Sequence, residues 1–159
     1  MASQTLPGKN LIKTILITGL IAGTLDILAA STNAYLRSGI SPIRVLQFVA
    51  SGLFGTEAFS GGLTMAFSGL IIHYMIALSW TLLFFLIYPK LSFLSKNKIV
   101  TGILYGIFVW LAMNFVVLPL TAVPKSPFNA TQAIVGTVIL IFMIGLPISI
   151  LANRYYSNK

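Results

Sequence analysis

From Leu63 to Tyr88 the chain reads LTMAFSGLIIHYMIALSWTLLFFLIY, 26 residues without a charge, and the run stops at Pro89-Lys90. A helix needs roughly 20 apolar residues to cross the hydrocarbon of a bilayer. In a water-soluble domain, where about a quarter of residues are charged, such a run would be hard to place. This chain is 57% hydrophobic and 8% charged. Three further apolar runs, residues 11–33, 99–120 and 130–152, have spanning length. None alternates in the two-residue period of a membrane β-barrel. The expected fold is therefore an all-α integral membrane protein, a single domain built as a four-transmembrane-helix bundle.

The segment between the first two spans is punctuated by Gly39, Pro42, Gly52, Gly55, Gly61 and Gly62. Within it, residues 43–54 are apolar at Val45, Leu46, Phe48, Val49, Leu53 and Phe54, and polar at Arg44, Gln47 and Ser51. At about 100° per residue these sort onto two faces. A short interfacial or re-entrant helix is predicted, too short to cross. Its Gln47 and Ser51 should meet water or headgroups, and its Phe48 and Val49 hydrocarbon or protein.

Some local signals shape the spans themselves. Lys9, Lys13 and the apolar stretch after them imitate a signal peptide, but Asp26 interrupts the core such a peptide needs, so a retained helix is expected. Asn129 followed by Gln132 is a helix-capping start for the last span. Pro119 should end the third span, and Pro147 should kink the fourth.

The net charge of +8 does not point to nucleic acid, because all ten bases lie at or beyond the ends of apolar runs. That is how topology signals and lipid-headgroup contacts are distributed. Four spans put both termini on one side. Lys9, Lys13, Lys90, Lys96, Lys98, Arg154 and Lys159 then share a face, and Arg37, Arg44 and Lys125 the other. The positive-inside rule makes both termini cytoplasmic.

Chemistry has few carriers here. There is no cysteine, one histidine and two acids. Asp26 falls inside an apolar helix, where a lone carboxylate costs a few kcal/mol even on insertion scales. Counted from the basic residues at about 1.5 Å per residue, Asp26, His73 and Asn114 fall in one layer on three different spans. That polar layer reads either as a proton, ion or small-solute pathway or as a hydrogen-bonded packing tie. Glu57, in a glycine-flanked stretch, reads as an outer-face acid or as the tip of a re-entrant turn. Gly19-x-x-x-Gly23 and Gly102-x-x-x-Gly106 are close-approach motifs for helix packing. No metal or cofactor is expected, since Asp26, His73 and Glu57 are thin ligation and one histidine per chain is thin for haem. No nucleophile elbow is present for a hydrolase either.

From Tyr88 on, Tyr88-Pro89-Lys90, Gly102-x-x-x-Gly106, Met113-Asn114, Pro119-Leu120 and Pro124 resemble the YagU-like family of small bacterial inner-membrane proteins. His73 stands about where that family also places a histidine before the Pro-Lys. The resemblance covers the central third of the chain; the first 60 residues and the wholly apolar last span depart from it. It implies a bacterial cytoplasmic (inner) membrane location and a multi-pass fold, and no activity. The functional expectation is thus a multi-span membrane protein carrying a proton, ion or small-solute pathway through Asp26, His73 and Asn114. The alternative is a structural or accessory subunit, associating with itself or with another membrane protein, whose polar layer is a packing tie. Its constant partner is the lipid bilayer; no nucleic acid is expected.

Overall fold

The computed structural model describes residues 7–125, 127 and 129–157, with side chains from Asn10 onward. Every regular element among them is helical: α1 (Pro7–Ser38), α2 (Pro42–Phe54), α3 (Gly62–Ile87), α4 (Lys98–Ala112), α5 (Ala130–Leu140) and α6 (Leu146–Ser157). Short 3-10 and π turns join them. Four continuous helical stretches are long and apolar enough to cross a membrane: Asn10–Ser38, Gly62–Lys90, Lys98–Leu120 and Ala130–Ser157.

Helix ends follow from identifiable residues. α1 runs five residues past the expected Asn33, because no residue in Ala34–Ser38 breaks a helix. Gly39 stops it by taking φ +64°, with its N–H bonded to the Tyr35 carbonyl at 2.8 Å. This is the left-handed cap that glycine permits. Ser41 then caps α2 by accepting from the Arg44 N–H, with Pro42 in the first turn. Asn97 Oδ1 accepts from the Ile99 and Val100 amides to start α4. Asn129 Oδ1 does the same for α5 through the Gln132 amide at 3.0 Å.

Pro119 and Pro147 leave the same signature. Each is preceded by a leucine whose N–H reaches back five residues instead of four: Leu118 to the Met113 carbonyl, Leu146 to the Ile141 carbonyl. The result is a π turn, Met113–Val117 in the third span and Ile141–Gly145 in the fourth. A proline ring has no N–H and collides with the carbonyl one turn back. Widening that turn relieves the clash without opening the helix to lipid. The third span ends at Leu120, one residue past Pro119, as expected, but the π turn before each proline was not read from the sequence.

The bundle buries polar residues beside an apolar core and turns apolar ones outward. Its buried residues include Thr18, Gln47, Ser51, His73, Thr81, Thr101 and Ser149, while leucines, isoleucines and phenylalanines along every span face outward. α3 lies along α1, and α1 also meets the fourth span. α4 packs on the fourth span, and aromatic contacts close the circle between α3 and α4, with the Tyr105 and Phe84 rings 4.5 Å apart. The aromatic core therefore sits near the end that carries Lys90, Lys98 and Arg154, around Phe84, Phe85, Tyr88, Tyr105 and Ile148.

α2 overturns one expectation. Gln47 and Ser51 face the protein, 5% and 0% exposed, while Arg44 is exposed; Phe48 at 43% and Leu53 at 69% face out, and Val45, Leu46 and Val49 are half-buried. The Gln47 amide donates to the Gly62 carbonyl at 3.0 Å, and the Ser51 hydroxyl to the Phe48 carbonyl at 2.7 Å. In hydrocarbon, polar groups must be satisfied by protein, so a helix among lipids turns its polar face inward. The expectation is reversed for Gln47 and Ser51, which face protein rather than water or headgroups.

Candidate functional site

The chain's ionisable intramembrane residues meet where α1 crosses α3. Gly19 and Gly23 make that crossing close. A Cβ at Gly19 would come within 2.6 Å of Leu78 Cδ2, and one at Gly23 within 3.0 Å of Ala77 Cβ and 3.1 Å of Tyr74 Cδ1. Between helices in lipid, attraction comes from dispersion and polar contacts, both of which need short separations. Bare glycine backbone supplies them here.

His73, on α3, uses that closeness. Its Nε2 lies 2.8 Å from the Gly23 carbonyl oxygen. A carbonyl only accepts, so Nε2 carries the hydrogen. The ring is 9% exposed and packs edge-on against Tyr74, centroids 5.6 Å apart. A second polar bridge sits alongside. Thr24 donates to the Leu20 carbonyl at 2.7 Å, which uses its one hydrogen, so the Tyr74 hydroxyl donates to Thr24 Oγ1 at 2.8 Å. α1 and α3 are thus tied twice across adjacent residues.

Asp26 lies one turn beyond Gly23 on α1, half-buried, and Gly23 is the residue whose carbonyl His73 bonds. No hydrogen bond joins Asp26 to any described side chain. The direct Asp26–His73 contact that shared depth suggests is taken up instead by the Gly23 carbonyl. Asn114 stands apart from both, its amide donating to the Trp110 carbonyl of its own helix at 2.9 Å. Depth alone did not separate a residue aimed across the bundle from one folded back along its own turn.

Glu57 is exposed on the 3-10 turn Gly55–Phe59, and Asp26, His73 and Glu57 do not converge. Gly102 and Gly106 are buried against the π turn of the fourth span. A Cβ at Gly106 would meet Ile141 Cα at 2.5 Å, and one at Gly102 would meet Leu146 Cα at 2.9 Å. Both glycine pairs are therefore occupied within the chain.

Two features were read from the sequence only in part, Gly69 as a small residue beside His73 and Arg44 as a charge. Gly69 is the seat of α2: a Cβ there would overlap the Leu46 carbonyl. Its place on the face of Ala66, His73 and Ala77 was the available signal. Arg44, counted as a topology charge, is held by the turn after α2. It donates to the Phe59 carbonyl at 3.0 Å and lies 4.3 Å from the Phe59 ring centroid. Compared with family models, curated proteins and solved structures, the chain finds no match.

Proposed function

We propose that this multi-pass membrane protein exchanges protons at Asp26, with His73 on the neighbouring helix. One observation carries the reading. A carboxyl group stands within a span, beside the chain's one imidazole, and no described side chain hydrogen-bonds it. Leaving it ionised there costs several kcal/mol unless a cation, water or proton compensates. A proton is the smallest such compensation, and the seam between Gly23 and Ala77 is closed. The membrane is the bacterial cytoplasmic one by the YagU-like resemblance, and the distribution of bases puts both termini in the cytoplasm.

The test is proton flux into liposomes carrying the wild type or Asp26→Asn. Flux above protein-free vesicles, lost in the variant, is the expected result. Equal flux in both would refute the proposal. Orientation is read separately. A cysteine at Thr56 should react with an impermeant thiol reagent on intact cells and one at Ser95 should not; the reverse pattern would invert the topology.

A second reading has its own support. The His73–Gly23 and Tyr74–Thr24 bridges are satisfied contacts, and Asn114 is satisfied on its own helix. That is how a packing tie in a structural or accessory subunit looks, and absence of flux in the wild type would favour it.

A further inference from the structure

A groove runs between α1 and α3 at the basic end of the bundle, floored by Ile15 and walled by Ile12, Leu16, Leu78, Ser79 and Leu82. It is almost wholly apolar, and most of its wall residues are exposed. The charges around its mouth share one sign. Lys13 directly follows Ile12, and Lys90 ends the second span eight residues past Leu82, about 12 Å along the axis. Lys96, Lys98 and Arg154 stand exposed at the same end of the bundle. The chain's two acidic side chains are elsewhere, Asp26 in mid-span and Glu57 at the opposite end, so no acidic side chain neutralises these cations.

From this geometry we infer that the groove binds one anionic phospholipid, its phosphate on Lys13 and one acyl chain between α1 and α3. The pairing follows from what each half of the site lacks. The groove offers no polar partner beyond Ser79, whose hydroxyl already donates to the Met75 carbonyl at 2.8 Å. It therefore takes hydrocarbon. Lysines at the lipid surface attract anionic headgroups, each contributing about fivefold in affinity. A phosphate above and a chain below is a phospholipid, and the uncompensated charge selects the anionic kind. Ile12 and Leu16 lie one turn apart, as do Leu78 and Leu82, so the walls run parallel to a chain entering from the surface. The inference requires only that the basic end lies at a bilayer surface and is independent of proton exchange at Asp26.

Native mass spectrometry of the full chain tests it, using detergent micelles with equal phosphatidylglycerol and phosphatidylcholine of identical acyl chains. Phosphatidylglycerol should be retained preferentially. Lys13→Gln should lower its retention about fivefold, and Lys125→Gln, at the opposite end, should not. Ser79→Phe and Leu16→Trp, which fill or reshape the groove without changing charge, should each reduce retention. Excess inorganic phosphate should fail to displace the lipid. Equal retention of the two lipids, an equal loss in Lys125→Gln, or displacement by phosphate alone would overturn the assignment. So would unchanged retention in both groove variants. A melting temperature near wild type for each variant in lipid-free detergent keeps misfolding from imitating the expected losses.

Discussion

Asp26 and His73 sit at the same crossing but carry opposite stability signs. His73 is bonded to protein, through the Gly23 carbonyl, whereas Asp26 has no hydrogen bond to a described side chain. Polar contacts between membrane helices are worth about 0.6–1.7 kcal/mol. His73→Phe should therefore lower stability by about 1 kcal/mol in a reversible detergent-unfolding titration. Asp26→Asn removes a costly carboxylate and should leave stability equal or higher. A loss in Asp26→Asn larger than that in His73→Phe would make Asp26 a structural anchor and undercut the proposed exchange. The sequence carried part of this. A lone acid and a lone histidine at one depth are visible by counting, but the backbone carbonyl that comes between them is not. Nor is the direction of Asn114, because a side chain that can reach its own preceding turn gives no periodic signal.

At the scale of elements, glycine decides where helices touch, and the consequences differ with the atom that a Cβ would meet. Gly23→Ala meets the Ala77 methyl and the Tyr74 ring. A side chain can yield by a few tenths of an ångström, so a modest loss in thermal stability is expected. Gly69→Ala meets the Leu46 carbonyl, part of a helix backbone, and should displace α2. A cysteine at the buried Ser51 should then become reactive to a membrane-permeant thiol reagent. If it stays protected, the α2 seat is softer than the contact implies. The orientation of α2 has its own readout: spin labels at Phe48 and Leu53 should be oxygen-accessible from lipid, and one at Thr56 should be reached by an aqueous relaxant. Aqueous access at Phe48 would restore the flat-lying helix with its polar face outward. Periodicity revealed that α2 has two faces, but which face meets protein depends on the solvent, and lipid inverts the rule that water teaches. The π turns were illegible for a related reason. A proline announces a disturbed turn, yet whether the helix ends, bends or widens is settled by what packs there, and Ile141–Gly145 packs on Gly102 and Gly106.

The molecule as a whole joins a well-packed aromatic end, around Phe84, Tyr88 and Tyr105, to a seam that holds its ionisable pair in mid-bundle. The four-span all-α architecture was plain from length and hydropathy alone, because few backbone structures survive in hydrocarbon. The site was only outlined, because hydrogen-bond direction is a tertiary property. The same sparse composition makes the central claim unusually open to measurement. Asp26 and Glu57 are the only acidic side chains, so a carboxylic-acid carbonyl band in the infrared spectrum has two side-chain candidates beside the chain terminus. In reconstituted membranes taken through a pH cycle, a protonated-carboxyl band should appear and disappear reversibly, persist in Glu57→Gln and be missing from Asp26→Asn. A pH-dependent band that vanishes with Glu57→Gln and survives in Asp26→Asn would contradict proton exchange at Asp26.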